Sequence, residues 1–291
     1  MKAAPFQYHD PATVEEAISL LGRLENAKLL AGGQSLMAML NLRYAQPDHL
    51  IDLNRIADLA FIRQEGDALV LGAMTRQRDL EFSDLARRTC PILHEAVVNV
   101  GHRQTRNRGT IGGSLCHLDP SAELAAMAAL HDAVLTVLGP GGPRELPFKE
   151  FALTFMTTAL GMDELLAAIR IPLWPSRHGY AFIEFARRHG DFAIASSGAL
   201  LTIDPDGKID RAALVVGGVG PIPVRVPEAE QFLKGKPPTE ASFREAALAC
   251  QAIEPLDDIH APAAYRVHLG ETLARRALVK AAGRLKGDGG Q

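Results

Sequence analysis

The sequence predicts an α+β protein of two parts that meet at a proline-rich boundary. Residues 1–171 alternate short apolar segments with helical patterns. Pro172-Leu173-Trp174-Pro175-Ser176 then interrupts the pattern. Beyond this boundary, three strand-like segments follow one another before helices dominate, which is typical of a small antiparallel sheet covered by helices. We therefore expect an N-terminal domain over residues 1–175, a C-terminal α+β domain over 176–286 and a disordered tail over 287–291.

The first elements have clear local signals. Val14, Ala17, Ile18 and Leu21 share one helical face, and Thr13 can cap a helix that runs to Leu24. The next predicted elements are a strand at Ala27–Ala31, a helix at Leu36–Leu42 with Ser35 as its N-cap, and a strand at His49–Leu53. We expect residues 1 to about 54 to form a small βαβ-like subdomain and residues 55–175 to form a second subdomain.

The remaining elements follow from the same periodicities. In the N-terminal part we predict strands at Ala68–Gly72, Ala133–Leu138 and Leu165–Ile171, and helices at Thr75–Phe82, Pro91–Val98 and Glu123–His131. In the C-terminal part we predict strands at Tyr180–Ala186, Ala193–Ile203 and Ile209–Gly217, and helices at Ala229–Leu233, Ser242–Ala252 and Pro262–Lys286. Asp204-Pro205-Asp206-Gly207 predicts a hairpin turn between two of these strands.

Composition excludes several classes of function. The chain has 291 residues and a formal net charge of -3, so it carries no excess of cations for a nucleic-acid backbone or an anionic membrane. No apolar run reaches the roughly 18 residues of a membrane span. The N-terminus becomes polar too early for a secretory signal. These observations predict a cytoplasmic protein.

The cysteines indicate that metal chemistry lies elsewhere. Cys90, Cys116 and Cys250 are scattered, so they predict neither a disulfide framework nor an iron–sulfur or zinc site. No Ser-His-Asp or paired-carboxylate arrangement follows from spacing alone. We therefore assign no metal ligand and no catalytic residue to this chain.

Two glycine-rich turns are the main indication of a ligand. They are Gly32-Gly33-Gln34-Ser35 and Gly112-Gly113-Ser114. Glycine lets the backbone approach a ligand closely, and consecutive free N–H groups form a nest for phosphate oxygens. One such motif alone is more often an ordinary turn. Two of them suggest a ligand with two phosphates, held from both sides, and hence a dinucleotide.

The residues around these turns carry a family resemblance. Residues 31–36 (AGGQSL) and 108–115 (RGTIGGSL) resemble the FAD-binding medium subunit of molybdenum hydroxylases. That family includes the medium subunits of aerobic carbon monoxide dehydrogenase and nicotine dehydrogenase and the flavin domain of xanthine dehydrogenase. The likeness continues through residues 117–124, 187–193 and 255–261 and covers nearly the whole chain. It implies a two-subdomain FAD-binding domain of the vanillyl-alcohol-oxidase (PCMH) type, followed by the C-terminal α+β domain.

The resemblance also implies a site. Non-covalent FAD is expected to lie extended, with its pyrophosphate between the two turns. Glu123 is expected near the adenosine end, Leu166 near the flavin or its tail, and Asp191 and Phe192 near the flavin ring. His117 either approaches the flavin or is a structural histidine. The expected cofactor-binding residues are Ala31, Gly32, Gly33, Gln34, Ser35, Leu36, Thr110, Gly112, Gly113, Ser114, His117, Asp119, Glu123, Leu166, Asp191 and Phe192.

Three positions depart from the family pattern. Relatives often have Asp where this chain has Glu123, and Asn where it has Ser114. They often carry a Lys in the segment that contains Glu184. A glutamate there supplies no positive charge near the flavin, which leaves the reduction potential and the electron acceptor open.

The resemblance implies an electron-transfer role. A large subunit with a molybdenum cofactor and a small subunit with two [2Fe-2S] clusters are the expected partners, in one heterotrimer or a pair of them. The terminal acceptor would be NAD, a quinone or oxygen. Two alternatives stay open: a self-sufficient FAD-dependent oxidase or reductase of the same fold, and a non-enzymatic scaffold that binds another phosphate-bearing ligand. The organic substrate of the complex does not follow from this chain.

Overall fold

A computed structural model describes residues 2–287 and shows three main sheets with helices packed between and around them. The helices are α1 (Val14–Arg23), α2 (Leu36–Asn41), α3 (Gln77–Phe82), α4 (Asp84–Thr89), α5 (Pro91–Val97), α6 (Arg103–Arg108), α7 (Ile111–His117), α8 (Glu123–Leu130), α9 (Phe148–Phe151), α10 (Pro227–Leu233), α11 (Glu240–Ala247) and α12 (Ala263–Gly287). Short 3-10 helices occupy Leu53–Arg55, Ala57–Leu59 and Leu248–Ala252.

The strands alternate with these helices along the chain. They are β1 (Gln7–His9), β2 (Ala27–Leu30), β3 (His49–Asp52), β4 (Ile62–Glu65), β5 (Ala68–Gly72), β6 (Val134–Gly139), β7 (Gly142–Pro147), β8 (Ala152–Thr154), β9 (Thr157–Thr158), β10 (Leu165–Pro172), β11 (Gly179–Phe185), β12 (Ala195–Ile203), β13 (Ile209–Gly217) and β14 (Val224–Arg225). Strands β8 and β9 pair with each other as a separate short ribbon.

The first sheet is small and parallel, with the strand order β1-β3-β2. Helix α1 connects β1 to β2, and its buried face, Ala17 and Leu21, packs in one cluster with Ile51. The Thr13 hydroxyl accepts a hydrogen bond from the Glu16 N–H at 3.2 Å and caps this helix as predicted. In such a sheet the carboxyl ends of β2 and β3 lie at one edge, so the residues that follow them are neighbours.

The second sheet is antiparallel, with the strand order β4-β5-β10-β6-β7. Its central strands supply buried aliphatic side chains, including Leu69, Leu71 and Ile169, to the largest core cluster. Every residue of α8 is buried, because this helix lies within that cluster and not on its surface. Helix α8 therefore has protein on all sides.

The third sheet, with the order β11-β12-β13-β14, is antiparallel and covered on both faces. Phe182, Leu200 and Val215 belong to the same core cluster as α8, whereas alternate residues such as Ala181 and Leu201 pack in the cluster that contains α12. The two parts of the chain thus share a continuous core across this sheet. Among the described residues, no helix combines the length and apolar character needed to cross a membrane.

Most predicted elements are present within a few residues of their expected bounds. One difference matters for function: Gly112-Gly113-Ser114 is not a turn but part of helix α7. Ser35 precedes α2, but its side chain makes no capping hydrogen bond. The predicted helix Ser242–Ala252 divides into α11 and a 3-10 helix. Gly287 ends α12, and the other residues of the predicted tail, 288–291, lie outside the described residues.

Candidate functional site

The two glycine segments lie directly against each other. A Cβ built on Gly32 would stand 2.3 Å from the Arg108 carbonyl oxygen and 2.8 Å from the Gly109 Cα. A Cβ on Gly113 would stand 3.4 Å from the Ala31 Cβ. Any side chain at Gly32 would collide with backbone, which explains why the sequence needs glycine there. Tertiary structure therefore joins segments that are about 80 residues apart, as the ligand interpretation requires.

The first segment presents free backbone donors. Gly33 has a φ of +73°, which turns the chain between β2 and α2. Among the described residues, none of the five backbone N–H groups from Gly32 to Leu36 donates to a protein acceptor. The Gln34 amide donates to the Gly32 carbonyl at 3.3 Å, which holds that side chain beside the turn. Such a run of unpaired amides is a concavity for anionic oxygens.

The second segment differs from expectation. Its amides already have partners: Gly112 N–H donates to the Ala73 carbonyl at 2.8 Å, and Ser114 N–H donates to the Thr110 carbonyl at 3.1 Å. Gly113 N–H donates to the Thr110 hydroxyl at 3.0 Å, which caps α7. This segment therefore offers its small surface and the Ser114 hydroxyl, and the free backbone donors come from the first segment. The phosphate contacts of Thr110, Gly112, Gly113 and Ser114 stay predictions.

Two residues that the sequence did not indicate connect the segments. Asn54 donates from its side-chain amide to the Ala31 carbonyl at 2.9 Å and accepts from the Arg76 guanidinium. Arg76 also donates to the Arg108 carbonyl. Asp52 in turn accepts from the Asn54 N–H at 2.9 Å. The signal that could have found Asn54 is its position just after β3, at the sheet edge where Ala31 follows β2.

A loop from the C-terminal part is attached to the N-terminal part at two points. Gly190, with a φ of +88°, packs against the His102 ring, which immediately precedes α6. The Ser121 hydroxyl donates to the Ala193 carbonyl at 2.8 Å. Between these two attachments stand Asp191, which is exposed, and Phe192, whose surface is 73% exposed. An aromatic side chain so exposed has no core role, which favours a ligand or partner contact.

The other predicted residues occupy different environments. Leu166 is 4% exposed and packs in the largest core cluster on β10. His117 ends α7 half-buried, and burial lowers its pKa although the nearby Asp119 opposes the shift. Asp119 accepts from the Ser121 N–H at 2.8 Å and shapes the loop before α8. The structure therefore gives Asp119 and Leu166 structural roles, and their cofactor contacts stay predictions.

Glu123 on α8 and Glu184 on β11 are two carboxyl groups whose titration is perturbed in the folded chain. Burial raises the pKa of both carboxyl groups, and the Glu184 charge raises that of Glu123 further. The interaction between the two side chains raises the pKa of Glu123 and opposes the increase at Glu184. Spacing alone had indicated no paired carboxylates. The positions of Glu123 at the adenosine end and of the Glu184 segment near the flavin stay predictions.

The three thiols are structural. Burial is the main cause that raises the pKa of each of Cys90, Cys116 and Cys250 to about 12. At neutral pH these thiols stay protonated and are poor metal ligands. Within residues 2–287, no group of three or more His, Cys, Asp or Glu side chains is arranged to hold a metal ion.

The arrangement fits a dinucleotide. Free amides at Gly32–Leu36, a glycine surface on α7 and the exposed loop at Asp191–Phe192 provide anion donors, close approach and an aromatic cover. The backbone can hold a pyrophosphate without a lysine or a metal ion, because unpaired N–H groups carry partial positive charge.

Comparison with known proteins identifies both parts of the chain. Residues 4–174 match the FAD-binding domain in molybdopterin dehydrogenase, and residues 180–281 match the CO dehydrogenase flavoprotein C-terminal domain. The chain is 38% identical to subunit alpha of the 6-hydroxypseudooxynicotine dehydrogenase complex of Paenarthrobacter nicotinovorans, covering 97% of this chain and 96% of that one. It is 38% identical to the carbon monoxide dehydrogenase medium chain of Hydrogenophaga pseudoflava, covering 94% of this chain and 96% of the relative.

Solved structures agree with the sequence comparison. A carbon monoxide dehydrogenase from Hydrogenophaga pseudoflava, which lacks the Mo-pyranopterin moiety of its molybdenum cofactor, contains a chain that superimposes with a TM-score of 0.94. The match has 38% sequence identity and covers 98% of this chain and 99% of the other. The protein therefore belongs to the family of FAD-binding subunits of molybdenum hydroxylases, as an FAD-dependent oxidoreductase subunit.

Proposed function

We propose that this chain carries non-covalently bound FAD and transfers electrons from iron–sulfur clusters of a partner subunit to a terminal acceptor. The observation that carries the proposal is the contact between the two glycine segments, with five unpaired amides on one of them. A dinucleotide that ran across this contact would place its pyrophosphate on the amides of Gly32–Leu36. Thr110, Gly112, Gly113 and Ser114 would line the opposite wall.

The remaining residues would bind and orient the cofactor. Asn54 and Arg76 hold the two walls at a constant separation, because each hydrogen-bonds to the other and to one wall. Phe192 is available to cover a flat apolar ring and limit water without adding a titratable group. Bound flavin accepts single electrons and releases a pair, which suits a junction between clusters and a two-electron acceptor.

The proposal divides the work among subunits. With no metal-ligand cluster in residues 2–287, this chain would leave substrate oxidation to a large molybdenum-cofactor subunit, and a small subunit with two [2Fe-2S] clusters would supply the electrons. Relatives of similar identity are named for carbon monoxide and for 6-hydroxypseudooxynicotine, which supports a substrate choice made by the partners. The acceptor, the number of heterotrimers and the cytoplasmic compartment stay predictions.

The first test is the visible absorption spectrum of the natively purified chain, before and after acid precipitation. We expect a flavin spectrum that moves into the supernatant, because backbone amides and hydroxyls bind without a covalent bond. Flavin that stays with the pellet would favour a covalent flavin oxidase. A colourless protein that also ignores added FAD would contradict the proposal and favour the non-enzymatic scaffold.

A second prediction concerns the connection between the two walls. Asn54→Ala removes the donor to the Ala31 carbonyl and leaves the Arg76 guanidinium without that acceptor. We expect FAD to bind about tenfold more weakly, a cost on the order of 1–2 kcal/mol. The measurement is FAD titration of the apoprotein by flavin fluorescence. Asn107→Ala is the matched control. Asn107 is exposed, and within the described residues its side chain forms one hydrogen bond, which it accepts from Arg78. Equal affinities for the two variants would refute a role for Asn54.

A further inference from the structure

A cavity of about 710 Å³ lies at the proline-rich boundary between the two parts of the chain. Its walls come from β4, from the segment that joins α4 to α5, from the residues after β10, and from β11 and α12. Cavities of this size are typical of small-molecule sites. None of the residues that line it belongs to the proposed cofactor site.

The cavity lies at the end of the second sheet that is farther from α7. Pro172, which ends β10, pairs with Ala68 at the start of β5, and Trp174 lines the cavity two residues later. Gly72 ends β5, and the Gly112 N–H donates to the carbonyl of the residue that follows Gly72. The length of β5, roughly 13 Å at about 3.4 Å per residue, therefore separates the cavity from the glycine surface of α7.

The cavity carries an excess of positive charge. Arg88 and Arg284 line it, and none of the described acidic side chains does. Arg88, unlike the neighbouring Arg87, forms no ion pair and no side-chain hydrogen bond within residues 2–287. Arg284 shares the one carboxylate of Glu95 with Lys280, so two cations face a single anion. In a chain with a formal net charge of -3, such a local excess of cations favours an anionic ligand.

Three aromatic rings form one wall of the cavity. The ring centroids of Trp174 and His178 are 6.2 Å apart, and those of His178 and Tyr180 are 5.7 Å apart. The Arg284 guanidinium lies 4.0 Å from the Tyr180 ring centroid and donates to the Tyr180 carbonyl, so this cation is held against the wall. A flat apolar group can pack on such a wall beside the charge.

Polar groups of this wall have no protein partner. Trp174 is 6% exposed, yet its Nε1–H donates to no acceptor in the described part of the chain. The Tyr180 hydroxyl likewise forms no hydrogen bond with a described residue. Because a buried indole N–H normally has an acceptor, we expect a molecule in the cavity to supply one.

Helix α12 leaves open space beside this wall. Gly283 lines the cavity near the end of the helix, where glycine lowers helix stability relative to alanine. A Cβ built on Gly283 would meet no heavy atom within 4 Å. A side chain could therefore be accommodated there, and its absence keeps the cavity open.

We propose that this cavity binds a small anion that carries a planar aromatic ring. Arg88 pairs with the anionic group, the Trp174 N–H and the Tyr180 hydroxyl donate to its oxygens, and the aromatic wall packs against the ring. Aromatic carboxylates and nucleoside monophosphates share this chemistry. Both parts of the chain line the cavity, so the bound ligand stabilises their junction. Binding here does not depend on the proposed FAD site.

Trp174 is the only tryptophan of the chain, so its fluorescence reports on this cavity. The natively purified chain is titrated with benzoate and AMP, and with benzyl alcohol and inorganic phosphate as ring-only and charge-only controls. We expect a saturable change with benzoate or AMP at concentrations about tenfold below those that either control requires. Tighter binding of benzoate would assign an aromatic carboxylate, and tighter binding of AMP a nucleotide. No saturable change with either, or equal binding of phosphate alone, would overturn the proposal.

Two variants locate the binding. Arg88→Met should weaken it about tenfold, whereas Arg244→Met, which removes an exposed cation from α11, is the matched control and should not. Gly283→Leu should fill the cavity and abolish the fluorescence response in a protein that circular dichroism shows to be folded. A hundredfold excess of ligand over its Kd should raise the wild-type Tm by roughly 5 °C. A response that survived both Arg88→Met and Gly283→Leu would come from another site and contradict the proposal. If Gly283→Leu does not fold, equal affinities of Arg88→Met and Arg244→Met would contradict it.

Discussion

Replacing Gly32 with alanine is expected to weaken FAD binding about a hundredfold, the largest effect we predict for a single methyl group in this chain. The added Cβ would stand 2.3 Å from the Arg108 carbonyl oxygen and 2.8 Å from the Gly109 Cα. Both are backbone atoms, so neither can rotate away as a side chain would. The two walls of the cofactor groove must move apart, and the amides of Gly32–Leu36 lose their alignment with the opposite wall.

The measurement is FAD titration of the purified apoprotein, with circular dichroism to confirm that the variant is folded. Gly22→Ala is the matched control, because a Cβ on that helical glycine meets no atom within 4 Å. That control should bind FAD as the wild type does and gain up to about 1 kcal/mol in stability. If folded Gly32→Ala retained wild-type affinity for FAD, the groove between the glycine segments would not be the cofactor site.

Replacing Arg266 with methionine is expected to cause the largest loss of stability. Arg266 is buried, and its Nη1 donates to the carbonyls of Ile194 and Gly218, each at 2.7 Å. Its Nη2 donates to both carboxylate oxygens of Asp258, at 2.8 and 2.7 Å. Methionine fills much of the space but leaves two carbonyls and a carboxylate without their donor. The expected cost is about 3 kcal/mol, or roughly 10 °C in Tm.

Arg276→Met is the control for this prediction, because Arg276 is an exposed residue on the same helix. Acid should reduce the difference between wild type and Arg266→Met. Burial alone would raise the pKa of Asp258, but hydrogen bonds from Arg266 and from the N–H groups of Ala261 and His260 lower it to about 2. A depressed pKa stabilises the fold above the ordinary value of 3.8 and loses its effect as pH falls towards 2. A difference that stayed constant down to pH 2 would contradict a role for the Asp258 charge.

The hydrogen bonds of Arg266 also explain the motif at residues 255–261, to which sequence analysis assigned no role. Residues 255–261 are part of the family pattern, yet their residue types indicate no chemistry by themselves. In the structure Asp258 accepts from Arg266, which holds the backbone of Ile194 and Gly218. Those segments support the loop that carries Asp191 and Phe192. Through these hydrogen bonds, the motif holds backbone that adjoins the Asp191–Phe192 loop.

Local sequence patterns were sufficient to predict the fold class and many of the helices and strands of this protein. The α+β class, the cap at Thr13 and the strands β2, β5, β12 and β13 all follow from side-chain periodicity and turn chemistry, which act over a few residues. The scattered cysteines predicted no metal site in this chain, and the two glycine segments predicted a dinucleotide ligand. Together with the flanking motifs, they identified the family and the cofactor without any coordinates.

What the sequence could not decide is which groups meet across the fold. Gly112 and Gly113 were predicted to form a turn, but the Thr110 cap and contacts with Ala73 make them helical and occupy their amides. Asn54 and Arg76 carry no distinguishing signal in the chain, and only the edge shared by β2 and β3 brings Asn54 to Ala31. Glu123 and Glu184 are about 60 residues apart, so no spacing rule could pair them. Local signals determined the elements and the family, whereas contacts between distant segments, which depend on packing of the whole core, determined which amides are free and where charge is buried.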